Sequence, residues 1–192
     1  MAEELDFREL MQRVRAGDEA AAAELVRLYE PFIRRAARVR LGDIRLKRLL
    51  DASDICQSVL ASFFVRAALG QYELDKPQQL VRLLEAMARN KIVDQARKQA
   101  TSALDLEPVS PDAESGAPFD TGSAPSERVA RQDLLLEFRK RLSEDERQLA
   151  EQRTLGREWT EIATALGGSP EAFRKKLARG VDRVAREMGL EV

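Results

Sequence analysis

The sequence contains no histidine and a single cysteine, Cys56. These absences exclude histidine-based acid–base or nucleophilic catalysis and any disulfide framework within the chain. They also argue against a zinc site, which needs several Cys or His ligands. The sequence shows neither a glycine-rich phosphate loop nor paired carboxylates in a recognisable catalytic arrangement. We therefore expect a protein that is not an enzyme and that uses no metal and no cofactor.

Aromatic residues make up only 5% of the chain, and no apolar stretch approaches the roughly 20 residues of a membrane span. Met1 is followed by acidic residues, so no signal peptide is expected. Ala, Leu, Arg and Glu are abundant, which favours packed helices over sheets. The composition predicts an all-α, soluble, cytoplasmic protein with no membrane partner.

Charge is unevenly distributed, although the net charge is only −1. Residues 1–100 hold 18 Lys/Arg and 15 Asp/Glu, and residues 127–192 hold 14 and 13. Residues 101–126 hold five acids, four prolines and no base. Because this middle segment has no helical or strand period, we predict a disordered acidic linker between two domains, 1–100 and 127–192.

Apolar residues recur at helical spacing through residues 1–100. Asp18 is expected to cap the second helix, Asp51 or Ser53 the third, and a fourth helix should run from Pro77 to about residue 99. The expected buried face of the second helix is Leu25, Leu28, Tyr29, Phe32, Ala36 and Val39. The expected buried face of the third is Ile55, Val59, Phe63 and Ala67.

Residues 160–187, TEIATALGGSPEAFRKKLARGVDRVARE, have the pattern of a helix-turn-helix. A short helix stops at Gly167–Gly168, Ser169 caps a second helix, and Pro170 takes its first position. Upstream, residues 143–146 have the S-x-x-E spacing of a capping box. The second helix carries six bases, which suit a polyphosphate surface. The alternative is a two-helix corner with a solvated basic face.

The first turns of such a second helix lie deepest in a DNA major groove. Glu171, Arg174 and Lys175 are therefore the candidates for base edges, and Arg179 and Arg183 for phosphates. Trp159, just before the pattern, is expected to be a core anchor. The full candidate set is Ser169, Glu171, Arg174, Lys175, Arg179 and Arg183.

Residues 89–98, RNKIVDQARK, place cations and amides on one helix. Cations suit phosphates, amides suit base edges, and only Ile92, Val93 and Ala96 are expected to face inward. The candidate DNA-binding residues here are Arg89, Asn90, Lys91, Asp94, Arg97 and Lys98. An ordinary solvated helix surface is the alternative.

Residues 51–64, DASDICQSVLASFF, predict an amphipathic helix whose polar side bears acids. An acidic face between basic helices suits a protein partner better than DNA. The candidate partner-binding residues are Asp51, Asp54, Ile55, Gln57 and Ser58. The alternative is a helix start whose acids are merely favoured by the helix dipole.

Three segments together resemble bacterial sigma-70-family factors of the extracytoplasmic-function (ECF) group. DASDICQSVLASFF resembles the D-A-E-D-(I/L)-x-Q-E-V-F signature, and MARNKIVDQARKQ resembles the ARN-x-x-(I/V)D-x-x-R helix. WTEIATALGGSPEAFRKKLARG resembles the terminal helix-turn-helix, and order, spacing and linker also match. The resemblance covers roughly residues 5–100 and 127–188. Ser58 departs from a family Glu, and Leu83 from a common aromatic.

The resemblance implies a sigma-2 domain over 1–100, in which Asp54, Gln57 and neighbours bind the clamp helices of the polymerase β′ subunit. The helix Asn90–Lys98 and the loop around residues 70–76 would engage and open the minus-ten promoter element. Residues 127–192 would be a sigma-4 domain that reads the minus-thirty-five element and contacts the β flap. Core RNA polymerase and promoter DNA are thus the implied partners, and whether an anti-sigma factor also binds is left open.

A polymerase-independent, dimeric helix-turn-helix regulator is the alternative function. The DASDICQ helix argues against it, because a plain repressor has no need of a polymerase-binding face. The predicted linker argues the same way, since it suits two separate docking sites.

Overall fold

A computed structural model describes residues 2–41, 51–102 and 125–190 of the chain. Within these ranges the chain forms eight α-helices and no strand, which confirms the all-α prediction. The helices are α1 Ala2–Arg15, α2 Glu19–Arg40, α3 Ala52–Ala68, α4 Pro77–Ser102, α5 Pro125–Arg141, α6 Glu144–Thr154, α7 Trp159–Leu166 and α8 Pro170–Glu187.

Helices α1–α4 pack on one another around a first buried cluster. Asp18 caps α2, with its carboxylate accepting from the Ala21 N–H at 3.1 Å, and Asp51 caps α3 through the Ser53 N–H at 3.0 Å. Both caps satisfy amide donors that a helix start leaves unpaired. All four residues predicted for the inner face of α3 are fully buried.

The buried face predicted for α2 is wrong at three positions, since Leu28, Phe32 and Val39 are exposed. Ala36, a fourth member of that face, is only partly buried. The inward stripe instead repeats every four residues and contains Leu25, Tyr29, Ile33 and Ala37. A bundle helix buries only one stripe, so apolar residues to either side of it remain in contact with water.

Helices α5–α8 pack around a second buried cluster. Its largest fully buried side chain is Phe138, and the predicted capping box at Ser143 and Glu146 is present at the start of α6. Val65 of α3 and Leu69, which directly follows this helix, also belong to this second cluster. The end of α3 therefore packs against the C-terminal helices.

Most of the predicted linker, residues 103–124, lies outside the described residues. The few described positions at its edges are helical, because α4 extends to Ser102 and α5 starts at Pro125. The prediction of a disordered boundary between two domains therefore stays a prediction.

Candidate nucleic-acid and polymerase interfaces

The turn between α7 and α8 has the geometry that the sequence predicted. Gly167 adopts the left-handed conformation with φ of 68°, and the N–H groups of Gly167 and Gly168 both donate to the carbonyl of Ala163, at 3.0 and 3.2 Å. Ser169 then caps α8 by accepting from the Ala172 N–H at 3.1 Å. A left-handed glycine lets the chain reverse within two residues, so α8 starts immediately beyond α7.

The exposed first turn of α8 brings three of the predicted base-reading residues together. Glu171 receives a hydrogen bond from Arg174 at 2.8 Å and pairs with Lys175 at 3.3 Å. The hydrogen bond from Lys175, followed by the charge of Arg174, lowers the pKa of Glu171. One carboxylate thus holds both basic side chains on the outer face of the helix.

The two predicted phosphate-binding residues differ in their surroundings. The Arg179 side chain is exposed, and among the described residues it donates to the Lys175 carbonyl alone, at 3.3 Å. Arg183 is half-buried, donates to the Arg141 carbonyl at 3.3 Å, and pairs with Glu146 at 2.9 Å and Glu187 at 3.2 Å. Arg183 therefore holds α8 against the end of α5 and the start of α6.

Glu146 is the point where α6 meets the middle of α8. It accepts from the Ser143 N–H at 2.8 Å in the capping box and pairs with Arg183. Its side chain also lies directly on Gly180, where any Cβ would overlap it. The absence of a side chain at residue 180 therefore lets α6 and α8 approach closely.

Trp159 anchors the start of α7, as predicted. Its ring is buried in the second cluster, and the Arg153 guanidinium lies 4.9 Å from the ring centroid. This distance is within the range of a cation–π interaction.

The exposed side of α4 differs from the prediction at two positions. Val93, expected to face inward, is 40% exposed, whereas Lys91 is only 7% exposed. The inward stripe passes through Leu84, Ala88 and Ile92, and Lys91 lies beside it at helical spacing. Arg89, Asn90, Arg97 and Lys98 are exposed and Asp94 is half-buried.

The candidate partner-binding residues of α3 lie at the start of the helix. Asp51 and Asp54 are exposed, while Gln57 and Ser58 are half-buried. Ile55 is fully buried in the first cluster and supports the helix from inside. The exposed acids therefore lie at the very start of α3, at Asp51 and Asp54.

The sequence profile of the ECF sigma factor family matches residues 4–189. The chain belongs to the ECF sigma factor family. The chain is therefore an RNA polymerase-associated protein that acts in promoter-specific transcription initiation. The members of this family are non-catalytic specificity subunits. Comparison with curated proteins and with solved structures found no match. None of the helices in the described ranges is long and apolar enough to cross a membrane.

Sequence reasoning missed two arginines that this ECF sigma factor buries between its N-terminal and C-terminal helices. Arg66 of α3 is 7% exposed and pairs with Asp182 of α8. Arg153 of α6 is 5% exposed, donates to the Gly70 carbonyl at 3.2 Å, and pairs with Glu73 at 3.2 Å. No local pattern marks these residues, because their partners are distant in the sequence.

Proposed function

We propose that this ECF sigma factor docks on core RNA polymerase through the start of α3 and reads the minus-thirty-five element with α8. The observation that carries the proposal is the first turn of α8. There Glu171, Arg174 and Lys175 share one exposed face directly after a helix-turn-helix turn. Carboxylate and guanidinium groups at a recognition-helix start match the donors and acceptors of base edges.

The minus-ten element is proposed to meet the exposed side of α4. Arg89, Arg97 and Lys98 supply positive charge there, and Asn90 supplies an amide for a base edge. Lys91 is left out of this surface because its side chain is buried. Val93 lies among these residues and offers an apolar contact to a base.

Docking on polymerase is proposed to use the exposed acids of α3, with Gln57 beside them. An acidic face suits a basic protein surface and is repelled by DNA phosphates. It therefore favours a protein partner over DNA. The C-terminal helices are proposed to contact the β flap as well.

Reconstituted transcription tests the function directly. Core polymerase alone and core polymerase with the purified chain are compared on a library of promoter fragments, and run-off products are sequenced. We expect defined start sites only when the chain is present. Duplex binding by the chain as a dimer, with start sites that do not change on its addition, would instead support the polymerase-independent regulator.

Arg174→Ala should relax specificity at one or two positions of the minus-thirty-five element. A lost bidentate contact to a base is worth about 1–3 kcal/mol of discrimination. Arg179→Ala should weaken binding evenly across sequences and reduce the salt slope by about one. Arg179 serves as the matched control in place of Arg183, because Arg183 also holds α8 in place. Binding to systematically varied elements at several salt concentrations measures both, and equal losses on every variant would contradict the assignment.

A further inference from the structure

One carboxylate holds both basic side chains of the reading turn of α8, residues 171–175. Glu171 offers a separate oxygen to each of them, with Oε2 at 2.8 Å from Nη2 of Arg174 and Oε1 at 3.3 Å from Nζ of Lys175. Spacings of three and four residues place all three side chains on one face of the helix. Each is more than half exposed, and ion pairs at such exposed positions contribute little to stability. The main effect of Glu171 is therefore on what the two basic side chains can bind.

Other bases of α8 pair with acids on a different helix. Lys176 pairs with Asp145 of α6. Arg183 pairs with Glu146 of the same helix. These two pairs join α8 to α6 and thus position the recognition helix. The cluster around Glu171 lies within α8 alone and holds no second helix in place, so it is free to change partners when DNA arrives.

A carboxylate in the reading turn acts differently on phosphates and on base edges. DNA phosphates attract any exposed cation, whatever the base sequence, and they repel a carboxylate. On an arbitrary duplex, Arg174 and Lys175 reach phosphates only by leaving Glu171 or by bringing its negative charge with them. On a matching base sequence, Arg174 can donate to guanine O6 and N7 while Glu171 accepts from a cytosine amino group. The bases then replace the contacts that the helix gives up.

We infer that Glu171 is a specificity-determining residue that lowers the affinity of the reading turn for non-specific DNA. It does so by occupying Arg174 and Lys175 wherever the bases offer no replacement for these pairs. The inference rests on the proposed function, which places α8 on the minus-thirty-five element. A residue that only reads a base raises affinity for one sequence, whereas Glu171 also reduces affinity for all the others.

Glu171→Gln tests this role, because an amide of the same size replaces the carboxylate and removes its charge. Glu187→Gln is the matched control, since Glu187 also pairs with an arginine of α8, at 3.2 Å, and its variant has the same net charge. At roughly 1.5 Å per residue, the two acids lie about 24 Å apart along the helix. This separation is well beyond the ~8 Å over which physiological salt screens charges.

Fluorescence anisotropy measures binding of the full-length chain to two duplexes over a range of salt concentrations. One duplex carries the minus-thirty-five element selected from the promoter library, and the other carries the same bases in scrambled order. For Glu171→Gln we expect roughly eightfold tighter binding to the scrambled duplex at about 0.1 M salt and a salt slope steeper by about one, as one added phosphate contact gives. Glu187→Gln should match the parent chain. If the free chain binds neither duplex, promoter fragments with the two elements are compared on the chain bound to core polymerase.

In a chain that already carries Arg174→Ala and Lys175→Ala, Glu171→Gln should give a much smaller gain, because no cation is released. A gain of full size in that chain, or an equal gain in Glu187→Gln, would overturn the inference. Unchanged affinity of Glu171→Gln for the scrambled duplex would also overturn it, and any loss on the preferred element would then make Glu171 a base-reading residue only.

The parent chain separates these outcomes from a failure of the proposed function. A parent chain that prefers the selected element keeps the proposed function, whatever the Glu171 variant does. A parent chain that binds both duplexes equally would contradict reading by α8, and the role of Glu171 would fail with it.

Discussion

Asp54→Arg combined with Gln57→Ala is expected to abolish binding to core RNA polymerase. Both residues lie in the first two turns of α3, on the side opposite the buried Ile55 and Val59. Reversing a charge at an interface places like charges together and costs several kcal/mol. We expect a loss of affinity of at least about a hundredfold, which corresponds to roughly 3 kcal/mol.

The fold should survive this double substitution. Asp51 still caps α3, and a basic residue in the first turn opposes the helix dipole by only about 0.3–1 kcal/mol. Glu24→Arg with Gln12→Ala is the matched control, since both residues are exposed elsewhere on the N-terminal helices. Circular dichroism checks the fold and co-purification with polymerase checks binding. Undiminished co-purification of the α3 variant would remove this face from the proposal.

Trp159→Ala should produce the largest loss of stability in the helix-turn-helix. Replacing a buried Trp by Ala costs about 3–5 kcal/mol, and α7 has only 8 residues, fewer than the ~12–15 that an isolated helix needs. Without its anchor, α7 should separate from the second cluster, and binding to the minus-thirty-five element should be lost. Leu155→Ala, at an exposed position in the preceding turn, is the control and should change stability by less than about 0.5 kcal/mol.

Trp159→Phe separates packing from polarity at the same site. The indole N–H is buried and finds no acceptor among the described residues, so removing it relieves an unsatisfied donor. We expect Trp159→Phe to retain most of the stability that Trp159→Ala loses. Chemical denaturation of Trp159→Ala, Trp159→Phe and Leu155→Ala measures this. A Phe variant as unstable as the Ala variant would show that a phenyl ring cannot replace the packing of the indole ring.

The features that the sequence predicted well are local ones. A cap requires one side chain and a donor two or three residues away, so Asp18, Ser143 and Ser169 could be placed from spacing alone. The turn at Gly167 follows from a left-handed conformation that glycine adopts without strain. Each of these depends on fewer than ten consecutive residues.

Helix faces were harder to predict because residue type and helix position disagree at several places. An apolar side chain predicts that Val93 faces inward, and a charged one predicts that Lys91 faces outward, yet their positions relative to Ile92 reverse both. The tertiary fold fixes which stripe is buried, and a Lys stem is apolar enough to lie beside it. Residue type alone therefore misjudged the exposed surface of α4.

The contact between the two sets of helices could not be predicted from the sequence. Arg153 and Gly70 are separated by 83 positions, and neither belongs to a motif. Arginine is abundant in this chain, and only packing distinguishes a buried arginine from a solvated one. Two domains joined by a linker predict no particular contact between them.

The contact of Glu146 with Gly180 fixes the rotation of α8 about its own axis from behind. The carboxylate is itself held by the Ser143 N–H at the start of α6, so turning α8 would move Gly180 against a fixed side chain and break the Arg183–Glu146 pair. None of the base-reading candidates takes part in that anchorage. Exchanging Glu171, Arg174 or Lys175 should therefore change which bases are read without changing where the helix sits in the groove. The side of α8 that packs on α6 is thus separate from the side proposed to read bases, so substitutions on the exposed side alone should recode the promoter preference of this chain.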